Sequence, residues 1–324
     1  MLKVSELHNQ ANARLEQAAN PKRLALIHTA IALGASFLLT LISYLLSLEI
    51  ADTGGLGGLG ARSILSTAQA TLELIVMLAL PFWQLGIFYA ALRWERGESA
   101  EFPDLLQGFR RLGSALGLLI LRGLLFISLG VIVVNISTFL FMMTPFAEPM
   151  MEIFEPMMEQ AVTPEQLREL LTPELMASAT RASIPFFIMA GALFLIVAIP
   201  VFYRTRFADF ALMEGQTAGR AMVKSFVITK GSCLQVLKLD LSFWWFYLLQ
   251  MLSVAICNAD LILAYLGVSL PVSGVAATVL FYALGSIGQI LLLWQLEAKR
   301  VTVYARAFRT LDHTADTEND PEEV

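Results

Sequence analysis

SALGLLILRGLLFISLGVIVVNISTFLFMM, residues 114 to 143, holds a single charge, Arg122. At about 1.5 Å of rise per residue, such a run makes a helix longer than the roughly 30 Å hydrocarbon core of a bilayer. Five more runs of the same kind lie around it, at about 24–48, 68–92, 184–203, 236–257 and 274–296. The whole composition agrees: 57% of the 324 residues are hydrophobic, 15% are charged, and the mean hydropathy is +0.67, more apolar than a domain solvated by water. The expected fold is all-α, a polytopic membrane bundle of six transmembrane helices with amphipathic interfacial helices. The first run is about twice as long as the apolar stretch of a secretory signal peptide and is read as a retained span.

Arginine and lysine near span ends report orientation, because basic loops stay on the cytoplasmic side. Lys3, Arg14, Lys22 and Arg23 precede span 1, and Arg93, Arg96, Arg110 and Arg111 join spans 2 and 3. With six more between span 4 and the first residues of span 5 and four after span 6, 18 of the 22 basic residues fall on one side. Only Arg62, Arg168 and Arg181 fall on the other. Both termini are therefore expected in the cytoplasm. The inner basic helices are candidates for holding anionic lipid headgroups, although fixing topology alone also accounts for them.

Residues 1–23 read as a polar helix on the inner surface that Pro21 ends. The membrane domain then runs over 24–310. Two connections, 102–113 and 217–231, look alike. Pro103 starts the first, with Leu105, Leu106, Phe109 and Leu112 at helical spacing; Thr217 caps the second, with Ala218, Met222 and Phe226 on one face. Both are expected to lie flat in the interface. Their likeness suggests a parallel internal repeat, and aligning Gly113 with Gly231 places Arg122 and Asp240 nine residues later in each copy. An outer acidic insertion, 144–183, carries seven glutamates against two arginines and is read as an ordered helical cap. After Leu311 the tail has six acidic and no basic residues, so 311–324 is expected to be disordered.

Few residues offer chemistry. His8, His28 and His313 are scattered, and no metal-ligand, nucleophile-elbow or phosphate-loop pattern occurs. The glycine-rich run 53–63 lacks the lysine of a phosphate loop and reads as a turn. Catalysis, a cofactor, a bound metal and nucleic acid are not expected. Arg122 and Asp240 are the candidate intramembrane charge pair, since charges in a span usually face the protein interior or one another. The alternative for Arg122 is to snorkel, about 13 Å from Gly113, to the headgroups. The candidate outer interaction surface, for a protein partner, is Met150, Met151, Phe154, Met157 and Met158, where thioethers could also take a soft cation. Cys233 and Cys257, at opposite ends of span 5, cannot pair within one chain.

Ser225, Lys230-Gly231, Leu239-Asp240-Leu241-Ser242-Phe243-Trp244, Tyr304 and Phe308, with Glu6-Leu7, Ala11 and Leu15 near the start, carry a resemblance over most of the chain. The pattern resembles the bacterial integral membrane family catalogued as domain of unknown function 975, more distantly similar to the membrane domain of some glycerophosphodiester phosphodiesterases. It implies a six-span bundle in a bacterial plasma membrane and no established activity. The chain departs from it in the acidic insertion and at Arg309, where an aromatic commonly stands. Three functional expectations follow, in order: a non-enzymatic organiser of membrane lipids or partner proteins, a transporter or channel component, and last an intramembrane enzyme.

Overall fold

A computed structural model describes residues 3–52, 58–147, 151, 173–265 and 274–319. No strand occurs among them. Five helical segments are long and apolar enough to cross a membrane: Pro21–Ile42, Ser66–Glu95, Leu112–Met142, Ser183–Met213 and Ala277–Trp294. A sixth, Cys233–Leu241 with Trp244–Cys257, is bent by 59° at its break. The chain is an all-α, multi-pass membrane protein. Its backbone polar groups are satisfied within helices, the arrangement that hydrocarbon demands of single segments.

The chain divides into two compact units, residues 1–118 with 206–324, and residues 119–205. In the first unit, α1 (Val4–Gln17) stops short of Pro21, and Asn20 takes a left-handed backbone, φ 53°. Pro21 does not end a helix but begins α2 (Pro21–Asp52), where its missing N–H costs nothing. α3 (Gly58–Glu95) keeps Pro81 inside a helix. A short 3-10 turn, Phe102–Leu106, and α4 (Gln107–Arg110) follow, before α5 (Leu112–Met142). After α6 (Pro173–Thr205) come α7 (Ala208–Met213), α8 (Ala218–Ile228), α9 (Cys233–Leu241), α10 (Trp244–Cys257), α11 (Ala259–Tyr265) and α12 (Gly274–Asn319).

α12 is the axis of the first unit and packs along α2, α3 and α10. It runs past Leu311 to Asn319, into the tail expected to be disordered, of which 320–324 lie outside the described residues. α1 does not lie free on a surface. It docks on α12 and α3 and buries Leu7 and Ala11. The two connections expected in the interface also pack on protein. Leu105 is fully buried, and Gly86 and Gly108 let the backbones of α3 and residues 102–110 touch: a Cβ on Gly86 would strike the Leu105 carbonyl, and one on Gly108 the Phe82 carbonyl. α8 buries Ala221, Ser225 and Ile228, a different face from the expected Ala218, Met222 and Phe226. Nor do the connections match in form. A single helical turn precedes the unbroken α5, whereas the three-turn α8 precedes the bent pair.

The second unit is a helical hairpin of α5 beyond Leu118 with α6. Phe141 meets Phe186 at 5.5 Å between ring centroids, and toward the other end the Arg122 guanidinium donates to the Thr205 carbonyl at 3.1 Å. Most side chains of its spans are exposed, as they are when lipid is the neighbour. Of the outer surface residues expected from sequence, Met151 is helical and exposed; Met150, Phe154, Met157 and Met158 lie outside the described residues.

Candidate functional site

The packed core of the first unit gathers where α3, α7, α8 and α12 meet. Phe88, Phe207, Phe210 and Phe308 stack there, with ring centroids between 4.9 and 6.2 Å apart. Ser225 Oγ accepts the Phe207 backbone N–H at 3.1 Å, which ties α8 to the start of α7. Around this aromatic plug runs a set of ion pairs. Glu95, the last residue of α3, is 2% exposed and faces Arg306 at 2.7 Å and Arg309 at 2.8 Å. These two arginines stand three residues apart, on one face of α12. Arg306 also donates to the Gln10 side chain on α1 at 2.8 Å. Glu214, just after α7, lies within reach of Arg96, Lys224 and Arg309 at 3.5, 3.7 and 3.9 Å, and Lys224 continues to Asp312 at 2.7 Å. The network thus ties α1, α3, α8 and α12 at one end of the unit.

A second polar group sits at the break in the bent span. Asp240 lies 3.6 Å from Arg206 and accepts the Tyr247 hydroxyl at 3.0 Å. Arg206 in turn rests over the Tyr304 ring, 4.8 Å from its centroid. The guanidinium of Arg300 grips Glu297 with two donors, at 3.0 and 2.8 Å, and covers Phe246. Burial works against the charge on Arg300, but the Glu297 carboxylate beside it outweighs burial and holds the guanidinium above its ordinary range. Arg93 makes a third set with Asp104 at 2.8 Å and Glu98 at 3.2 Å, and Asp104 also accepts the Glu101 N–H.

Histidines serve as staples here. His28 and Trp83 exchange contacts across α2 and α3: the Trp83 indole donates to the His28 carbonyl at 2.9 Å, and the rings stack with an interplanar angle of 2°. His8 on α1 reaches the break itself. The Ser242 hydroxyl gives its hydrogen to the Leu239 carbonyl at 2.6 Å, so His8 Nε2 donates to Ser242 Oγ at 2.9 Å. Burial first, and the nearby Lys299 second, hold the His8 imidazole below its ordinary pKa.

Asp240 therefore has Arg206 as its cation. Arg122 belongs to the other unit, and the expected pair with Asp240 stands as an expectation. Sequence reasoning missed Arg206, Tyr247, Glu95, Arg306 and Arg309. The three-residue spacings Glu297/Arg300 and Arg306/Arg309, continuing out of an apolar run, are the signal that could have found part of the set. Cys233 and Cys257 are free thiols. Among the described residues no three histidine, cysteine or acidic side chains converge for a metal ion. Comparison with protein-family models, curated proteins and solved structures finds no match.

Proposed function

We propose that this protein is a non-enzymatic organiser of membrane lipids or partner proteins, with both termini and the ion-paired end of its first unit on the cytoplasmic face of a bacterial plasma membrane. One observation carries the reading. The buried carboxylates described in the first unit, Glu95, Asp104, Asp240 and Glu297, each face an arginine of the same unit. A carboxylate clamped by a guanidinium is a poor general base and a poor ion ligand, but it fixes helix ends in register. The polar interior supports a rigid scaffold, with recognition assigned to its basic surface and its outer insertion. The basic bias of the same segments supports the orientation.

A second reading, a transporter or channel component, is favoured by the break at Ser242 and Phe243. Discontinuous spans with a charge at the interruption are the places where transporters hold substrates, and Asp240 is one such charge. The deciding experiment is a pair of measurements on the full chain. Mild-detergent purification followed by lipid and protein identification should recover a specific lipid or partner. Liposome flux over ions, metals and small metabolites should stay at the background rate. Saturable flux abolished by Asp240→Asn, with no lipid or partner retained, would replace the organiser with the transporter.

A further inference from the structure

We infer that a cleft between α1, α2 and α12 is a binding site for an anionic glycerophospholipid, with phosphatidylglycerol as the chemistry it fits. This deepens the organiser reading and rests on it. The cleft has a volume of about 770 Å³, within the range of small-molecule sites. Its lining joins apolar Leu15, Leu26 and Trp294 to basic Lys22, Arg23 and Lys299, with Asn12 and Glu16 from α1.

The position of the cleft specifies a lipid. One candidate span starts at Pro21 and another ends at Trp294, so the cleft lies at the level where hydrocarbon gives way to headgroups. Tryptophan favours that level, and the amphipathic stems of lysine and arginine suit it. The charge specifies an anion. Among the described residues Lys22, Arg23 and Lys299 form no ion pair, unlike the buried carboxylates of this unit, each of which has its own arginine. Three cations against the single carboxylate of Glu16 leave the cleft positive. A phosphodiester answers the cations. The Asn12 and Glu16 oxygens can accept hydrogen bonds from headgroup hydroxyls, which a glycerol headgroup supplies. A zwitterionic headgroup would bring a fourth cation to a site already short of negative charge.

Delipidated full-length protein in mild detergent, titrated with phosphatidylglycerol and followed by native mass spectrometry, should retain one lipid per chain. The triple variant Lys22→Gln, Arg23→Gln, Lys299→Gln should bind it on the order of 100-fold more weakly, about fivefold per neutralised cation. In the unaltered protein, phosphatidylglycerol brominated in its acyl chains should quench tryptophan emission, and Trp294→Phe should remove most of that quenching. Equal affinity in the triple variant, equal binding of phosphatidylethanolamine, or no Trp294-dependent quenching would each overturn the assignment. Displacement of the lipid by millimolar inorganic phosphate would show a phosphate site with no lipid preference and would overturn it too. Retention of another lipid or a partner alongside any of these results removes the cleft and keeps the organiser, whereas Asp240-dependent flux with nothing retained removes the organiser itself.

Discussion

Glu95 shows how a single residue holds helix ends together. Its buried carboxylate sits between two partly exposed guanidiniums, so removing it takes the anion from Arg306 and leaves Arg309 only Glu214, at 3.9 Å. Glu95→Ala should cost about 1 to 3 kcal/mol of stability, read as a lower midpoint in thermal unfolding of the detergent-solubilised protein. Exchanging all three partners together, Glu95→Leu with Arg306→Met and Arg309→Leu, should recover most of that loss, since apolar groups of similar volume replace buried ion pairs at little cost. A triple variant no more stable than Glu95→Ala would show that the charges do more than balance one another. His8 makes the same argument with pH. Its pKa is lowered in the folded state, so the folded chain binds fewer protons than the unfolded one. Stability contributed by the docked α1 is then present above about pH 6.5 and declines as pH falls below it. Limited proteolysis of α1 should accelerate between pH 7 and pH 5, and His8→Gln should flatten that dependence.

Among the elements, the turn and short helix at 102–110 depend on two glycines more than on their own apolar pattern. Gly86→Ala or Gly108→Ala drives a methyl group into a backbone carbonyl that cannot swing aside as a side chain could. Each should destabilise by about 1 to 3 kcal/mol and expose this segment to protease, while Gly113→Ala, where nothing lies near the added carbon, should be tolerated. Protease resistance equal to the unaltered chain in the first two would refute the close approach. The same segment shows what the sequence could and could not tell. Pro103 announced a helix start and the leucines announced an apolar face. In a membrane protein, however, such a face suits lipid and protein equally, so periodicity alone does not show that Leu105 packs against α3. The spans were legible because crossing hydrocarbon requires long uncharged runs. The partners of Asp240 and Glu95 were not, because Arg206 and Arg306 reach them only through packing that a local pattern does not encode. The bend at Ser242 also escaped notice: an apolar run looks the same whether or not its helix is broken.

At the scale of the whole molecule, orientation governs the meaning of every surface. With Cys233 and Cys257 replaced by serine, a single cysteine at Ser99 or Ser232 should resist an impermeant thiol reagent in intact cells and react after the membrane is opened. One at Ser63 should react from outside. Labelling at position 99 in intact cells would invert the protein and move the basic cleft to the outer leaflet. This test precedes any use of the lipid assignment, since anionic lipid bears on the cleft through the leaflet it faces.

α12 remains a single helix for 46 residues, about 69 Å at the usual rise, more than twice the hydrocarbon thickness. One end lies among apolar spans and the other carries Arg306, Arg309 and Asp312, so both belong to one rod. A rotation of about 5° around its midpoint would carry each end through about 3 Å, a distance comparable to the ion-pair contacts it makes. Mechanically, α12 is a lever arm: whatever grips its charged end in water acts on helices within the bilayer, and the composition of the bilayer is felt in turn at its charged end.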